Sequence, residues 1–273
     1  MTVVKYKRIW YGISAILLAL SVWAVFAYGF NLSIDFTGGT LTEVRYTGEK
    51  PTSLDVEGSV RSTEDGFIIR SKTPVSQEVT GGEIVRQNSI GPTAGAELRS
   101  KAVKAVVVVV VMIVLFVTFA FRKVSRPVSS WKYGLATIIA LAHDVIIPVG
   151  IFVLLGKEID LLFVTGLLAI LGYSVHDTIV VFDRVRENLS INQEKNIKED
   201  FETTVGKSVS QTLTRSINTS ITIFITLLAL YLFGSSATAA LALLLIVGLI
   251  AGTYSSIFIA SPLLVTFYKL QKK

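Results

Sequence analysis

Apolar and polar positions alternate along this chain in long blocks. Six apolar runs stand out, at Trp10–Phe30, Ala105–Phe121, Gly134–Leu155, Leu161–Phe182, Ile217–Phe233 and Ala239–Phe267. A bilayer hydrocarbon core of about 30 Å takes about 20 apolar residues in a helix. The second run contains an unbroken Val106–Val111 stretch, which in a water-soluble protein suggests a buried strand. It continues through Met112–Phe119, too long for a typical strand of about 5 residues. In lipid a helix satisfies its own backbone hydrogen bonds, and a lone strand does not. The pattern predicts six transmembrane helices.

The polar block between the first two runs, residues 31–101, has a different period. Strand-like alternation occurs at Leu41–Thr47, Gly66–Ser71 and Glu83–Ile90. Ser53–Glu57 reads as a short helix start, with acidic residues just past a serine cap. Gly81-Gly82 and Gly91-Pro92 read as turns, and Ala94–Lys104 as a helical extension of the second span. The predicted fold is an all-α polytopic membrane bundle with a small α+β extracytoplasmic domain. Its divisions are 1–30, 31–101 and 102–273, with cytoplasmic loops at 122–133 and 184–215. Within the second loop, Phe201, Val205, Val209 and Leu213 recur every four residues. That spacing predicts an amphipathic helix, on the membrane face or packed under the bundle.

Charge sets the orientation. Residues 31–101 hold ten acids and eight bases; the other residues hold 10 acids and 18 bases, and the whole chain is +6. The excess bases flank the spans: Lys5, Lys7 and Arg8; Arg122, Lys123, Arg126 and Lys132; Arg184 and Arg186; Lys269, Lys272 and Lys273. This positive-inside pattern puts both termini and the basic loops in the cytoplasm. It also accounts for the positive charge without nucleic acid. Only 17% of residues are charged, against about 25% in soluble domains. The first span reads as an uncleaved signal anchor. With no cysteine, disulfides and thiolate metal sites are excluded.

Charged residues at membrane depth are expensive, about 2.5–3.5 kcal/mol each by insertion scales. Span three contains His143-Asp144, and span four contains His176-Asp177 and Asp183-Arg184. Gly166, Ile170, Tyr173, Ser174 and Asp177 share one face of span four, and Arg215, Asn218, Thr219, Thr222 and Thr226 form a stripe on span five. The two stripes are expected to face each other, with an Asp177–Arg215 pair. Thr137, Leu141, Asp144 and Pro148 share a face of span three, which lets Asp144 join that interior. Burial favours a neutral carboxyl group and a guanidinium favours a charged one, so a group between them can load and release a proton. From the residues alone, this proton site and a static ion pair fit Asp177 equally well. Asp144 admits both readings, and Asp183 reads as a charge paired at the helix end with Arg184 or Arg186. The two histidines lie in different spans without a Glu or His cluster, so no metal site is expected. No GxSxG, GxGxxG or P-loop pattern is present, which argues against nucleotide hydrolysis. Gly248 and Gly252 in span six form a helix-packing face.

Four stretches carry a family resemblance: Asp35-Phe-Thr-Gly-Gly-Thr40, Gly172-Tyr-Ser-Val-His-Asp-Thr-Ile-Val-Val-Phe-Asp-Arg-Val-Arg-Glu-Asn188, Ser210-Gln-Thr-Leu-Thr-Arg-Ser-Ile-Asn-Thr-Ser220 and Gly252-Thr-Tyr-Ser-Ser-Ile-Phe-Ile-Ala-Ser-Pro262. Together they resemble the SecF family of bacterial protein-export membrane subunits, in the RND superfamily, over the whole chain. The resemblance implies an RND-type half in the bacterial cytoplasmic membrane. It implies partnership with SecD, the SecYEG channel, SecA and a translocating unfolded polypeptide, with YidC- and YajC-type proteins as further membrane partners. It assigns the family's intramembrane aspartate to Asp177 and its arginine to Arg215, and so favours the proton site. Asn218, Thr219 and Asp144 join that pathway. Asp35, Gly38 and Gly39 are expected to transmit movement of the extracytoplasmic domain. No cofactor is implied beyond the proton gradient, with sodium serving some relatives. The chain carries no SecD-like half, so it is expected to be half of a pathway and inert alone. A small-molecule exporter of the same superfamily and a passive scaffold are the rival readings, with an intramembrane protease a distant third.

Overall fold

The computed structural model describes residues 2–48, 50–63, 65–76, 80–122 and 127–271. Lys123, Arg126, Lys272 and Lys273, named above among the flanking bases, lie outside the described residues. The chain divides into two compact units. One is helical, with residues 1–30, 106–157 and 162–273; the other is built on a sheet, with residues 31–105 and 158–161.

The helical unit starts with a single turn, α1 (Thr2–Lys5), followed by α2 (Lys7–Tyr28). Among the described residues six helical stretches are long and apolar enough to span a membrane: Lys7–Tyr28, Pro92–Ala120, Ser130–Leu154, Leu161–Glu194, Phe201–Phe233 and Ala237–Gln271. The second begins at Pro92, so the helical extension expected at Ala94–Lys104 is present. We label Pro92–Ala120 α4, Ser130–Leu154 α5, Leu161–Glu194 α6 and Phe201–Phe233 α7. The last stretch comprises α8 (Ser236–Ser255), one π-helical turn (Ser256–Ala260) and α9 (Ser261–Gln271). The wide turn has a local cause. Pro262 has no N–H to donate and its ring crowds the carbonyl four residues back; the turn ahead of it opens, and Ser261 Oγ donates to Ser256 O at 2.9 Å.

Helices α6 and α7, with 34 and 33 residues, are each about 50 Å long and outrun a 30 Å hydrocarbon core. The surplus forms a polar-laced hairpin. Asn188 Nδ2 donates to Ser208 Oγ and to Gln211 Oε1, both at 2.8 Å, and Asn192 Nδ2 donates to Glu199 at 3.0 Å. Asp200 caps α7 by accepting from Glu202 N. The four-residue spacing from Phe201 is thus the start of span five itself, packed under the bundle. Phe201 and Val205 are buried with Val4, Phe121, Tyr133, Phe182, Val185 and Leu264.

The sheet unit holds α3 (Ile34–Thr37), β1 (Gly39–Arg45), β2 (Ser59–Ser62), β3 (Gly66–Ser71) and β4 (Glu83–Ile90), and the start of α4. Its antiparallel order is β2-β3-β1-β4. Val44, Phe67 and Ile69 form the core, covered by Leu54, Val56, Val60, Val75 and Ile84. The helix expected at Ser53–Glu57 is absent, and β2 was not anticipated. Leu54 and Val56 bury on the same core at a spacing of two, which extended chain achieves and a helical turn does not. The helix of this unit is instead α3, started by Ser33, whose hydroxyl accepts from Asp35 N at 3.2 Å.

Candidate functional site

Two buried carboxylates occupy the helical unit. Asp144 on α5 is fully buried, and Asp177 on α6 is 6% exposed. Asp144 Oδ2 accepts from Ser255 Oγ at 2.7 Å and from Ser174 Oγ; its Oδ1 lies 2.9 Å from His143 Nδ1. Three helices, α5, α6 and α8, therefore meet on one side chain. His143 is itself buried and stacks on Tyr254 at 5.8 Å, with its Nε2 lacking a protein partner. Tyr254 O–H donates to Trp10 O at 2.9 Å, extending the polar cluster to α2. The shared face proposed for Thr137, Leu141, Asp144 and Pro148 is the buried face of α5.

Asp177 makes a different contact from the one expected. Ser216 Oγ on α7 donates to Asp177 Oδ1 at 2.6 Å, and Oδ2 has no protein hydrogen-bond partner. Arg215 forms no ion pair with it. Arg215, Asn218, Thr219, Thr222 and Thr226 are all exposed, so the arginine stripe is not the buried face of α7. The correction is one of helical phase. One residue turns a helix by about 100°, and the inward stripe is Ser208, Thr212, Ser216 and Ser220. In this series Ser208 donates to Thr204 O, Thr212 to Ser208 O and Ser220 to Ser216 O, each one turn back. Ser216 Oγ instead makes its bond across to Asp177 on α6 and none to its own helix. The signal is present in the sequence as small hydroxyls spaced by four, which let helices approach closely, beside a more conspicuous charged stripe.

Further hydroxyls join α6, α7 and α8. Tyr173 O–H lies 2.9 Å from Ser220 Oγ, which lies 2.7 Å from Thr253 Oγ1. Thr178, next to Asp177 in sequence, lies 2.8 Å from Ser256 Oγ in the π-turn. Gly248 and Gly252 pack on α6: a Cβ at Gly248 would stand 2.2 Å from Ile170, and one at Gly252 3.1 Å from Ser174. Asp183 is exposed and pairs with Arg186.

In the sheet unit, Asp35 Oδ2 accepts from Leu161 N, the first residue of α6, at 3.1 Å. Gly38 and Gly39 have φ of 72° and 118°, where a side chain is strained. A Cβ at Gly38 would stand 2.8 Å from Pro92 Cα, and one at Gly39 2.8 Å from Ser71 O.

A bundle of six span-length helices with carboxylates held inside by hydroxyls and histidine defines a polytopic membrane protein with an ionisable interior. The chain belongs to the SecD/SecF family of protein-export membrane proteins. The model of the SecD/SecF C-terminal region matches residues 71–270, and that of the SecD/SecF GG motif matches residues 23–49. The protein translocase subunit SecF of Thermobaculum terrenum is 38% identical, with 97% of this chain and 93% of that protein covered. The protein translocase subunit SecDF of Thermus thermophilus is 35% identical over 94% of this chain. The crystal structure of Thermus thermophilus SecDF, described as a translocon-associated membrane protein, superposes with a TM-score of 0.82 at 34% identity. All of this chain is covered in that match, but it spans only 39% of the SecDF chain.

Proposed function

We propose that this chain is the SecF half of a SecD–SecF assembly that couples the transmembrane proton gradient to late-stage polypeptide export. Similarity to SecF subunits over 97% of this chain supports the accessory role in Sec translocation, and similarity to the Thermus thermophilus SecDF supports a SecD partner. The observation that carries the coupling is Asp177, a carboxylate buried in α6 with one oxygen on Ser216 and the other without a protein partner. A hydrogen bond to a charged oxygen is about twice as strong as a neutral one. Protonating Asp177 weakens its hold on Ser216 and loosens α7 against α6. Arg215, Asn218 and Thr219, exposed on α7, are polar groups that lipid would not accept; they form the face on which the SecD half docks.

The protein lies in the bacterial cytoplasmic membrane with both termini in the cytoplasm, which makes the sheet unit extracytoplasmic. SecYEG, SecA, YidC- or YajC-type proteins and the emerging unfolded polypeptide are its partners. It hydrolyses no nucleotide itself, and the proton is the coupling ion, with sodium as the alternative. Each proton crossing gains about 2.3 kcal/mol per 100 mV.

The test is reconstitution with SecD and the channel, comparing wild type with Asp177→Asn for gradient-dependent export and for ion flux. Asp177→Asn is expected to lose both while ATP-driven export persists. Normal gradient-dependent export by Asp177→Asn overturns the coupling and leaves a scaffold.

A further inference from the structure

The loop that enters α6, Glu158–Leu161, belongs to the sheet unit. Residues 31–35 hold it by backbone and side chain. Ile159 N donates to Asn31 O at 2.9 Å and Ser33 N to Ile159 O at 3.0 Å, with Leu32 and Ile159 forming a parallel bridge. Glu158 forms an ion pair with Arg70 on β3, half-buried on both sides. Arg70 Nη1 also donates to Asn31 Oδ1 at 3.4 Å. Asp35 then takes the first N–H of α6. A helix leaves its first four N–H groups without internal partners, and a carboxylate there is favoured both as acceptor and as negative charge.

Asp35 has little freedom to move by itself. Its own N–H is held by Ser33 Oγ, and the turn after it is wedged by Gly38 against Pro92, the first residue of α4, and by Gly39 against Ser71 of β3. Nine residues, Asn31–Gly39, thereby touch the start of two span helices and one strand of the sheet.

We propose that residues 31–39 act as a clasp in which Asp35 and the Glu158–Arg70 pair position the start of α6, the helix that carries Asp177. The clasp fixes Glu158–Leu161, the entry to the helix that carries Asp177, an inference that rests on the coupling role proposed above. Asp177 lies sixteen residues beyond Leu161 on the same continuous helix, about 24 Å along its axis. Asp35, Glu158 and Arg70 are positioning residues: none touches the carboxylate site.

The test uses the full chain assembled with SecD in lipid nanodiscs. Asp35→Ala is expected to raise hydrogen exchange at amides 161–164 about tenfold, the scale of a lost N-terminal cap, while amides of β1 stay protected. Unchanged exchange at 161–164 overturns the clasp, as does loss of protection throughout the sheet, which makes Asp35 a general folding residue. In export vesicles, Arg70→Glu and Glu158→Arg are each expected to lose the gradient-stimulated part of export, and the double exchange to recover it at equal protein levels. Failure of the pair to recover, or normal export by either single variant, overturns the positioning role. The exchange measurement does not involve proton transfer. A fully active Asp177→Asn with exchange raised by Asp35→Ala sinks the proton reading and leaves the clasp; the reverse pattern sinks the clasp and leaves the proton reading.

Discussion

Ser216 holds Asp177 by a 2.6 Å hydrogen bond across the α6–α7 contact, and it is the one hydroxyl of its stripe not bonded to its own helix. Removing it therefore isolates a buried carboxylate. Ser216→Ala is expected to weaken the α6–α7 contact by about 1.5–3 kcal/mol, the range for a hydrogen bond to a charged group. Ser216→Thr keeps the donor and is expected to retain most gradient-driven export. Thermal unfolding of the purified assembly and export rates in vesicles check both; equal behaviour of the two variants contradicts the role of the hydroxyl.

Asp144 joins three helices, so the manner of its replacement decides the outcome. Asp144→Leu takes the partner from Ser174 and His143, and one of two acceptors from Ser255, in a buried interior. Each buried polar group left unsatisfied costs about 1–3 kcal/mol, and this variant is expected not to accumulate in membranes. Asp144→Asn keeps an acceptor oxygen and is expected to accumulate. Immunoblots of membrane fractions distinguish the two.

The two packing glycines should differ. Gly248→Ala drives a methyl group into Ile170 at 2.2 Å and is expected to cost about 1–3 kcal/mol. Gly252→Ala meets Ser174 at 3.1 Å and is expected to cost less. Ile170→Ala combined with Gly248→Ala should recover part of the loss, read as the midpoint of thermal unfolding.

Arg215 is exposed, so Arg215→Ala is expected to leave the folding of this chain unchanged and to impair it only with its partner. Unfolding midpoints of the separate chain should match wild type, while co-purification with SecD and gradient-driven export should fall. A destabilised separate chain would place the guanidinium inside the bundle after all.

Glu199 lies between α6 and α7 and gives a pH dependence outside the spans. A hydrogen bond from Asn192 holds its carboxyl below the usual value of 4.5; Thr204 and Lys207 act in the same direction, against partial burial. A depressed folded value means the stabilisation is present above the unfolded value and is lost as pH falls through the folded one. Hydrogen exchange at the start of α7, corrected for its intrinsic pH dependence, should therefore rise as pH drops below 4.5. Glu199→Gln should abolish that rise.

The six spans were legible because hydrophobic length is a one-dimensional property that lipid imposes directly. Three of the four strands among the described residues were legible from alternation; β2 was not, because Ser59–Ser62 has one apolar residue and lies at a sheet edge. Asp144 and Asp177 were found because a charge in a span is conspicuous. Their partners were harder, since facing stripes differ from exposed ones by a single residue of phase and the most polar stripe of α7 proved to be an exposed one. Glu158 and Arg70 were invisible, because nothing local in either stretch announces a contact between a connecting loop and a distant strand.

The π-turn at Ser256–Ala260 has a consequence for how the two carboxylate neighbourhoods relate. Ser255 reaches Asp144 and Ser256, the next residue, reaches Thr178 beside Asp177. Consecutive side chains of one helix thus reach Asp144 itself and the sequence neighbour of Asp177. Their backbone link is rigid, so rotating the sixth span to release one hydroxyl swings the other by the same angle. The widened turn makes this helix a yoke between two sites that have no direct bond to each other.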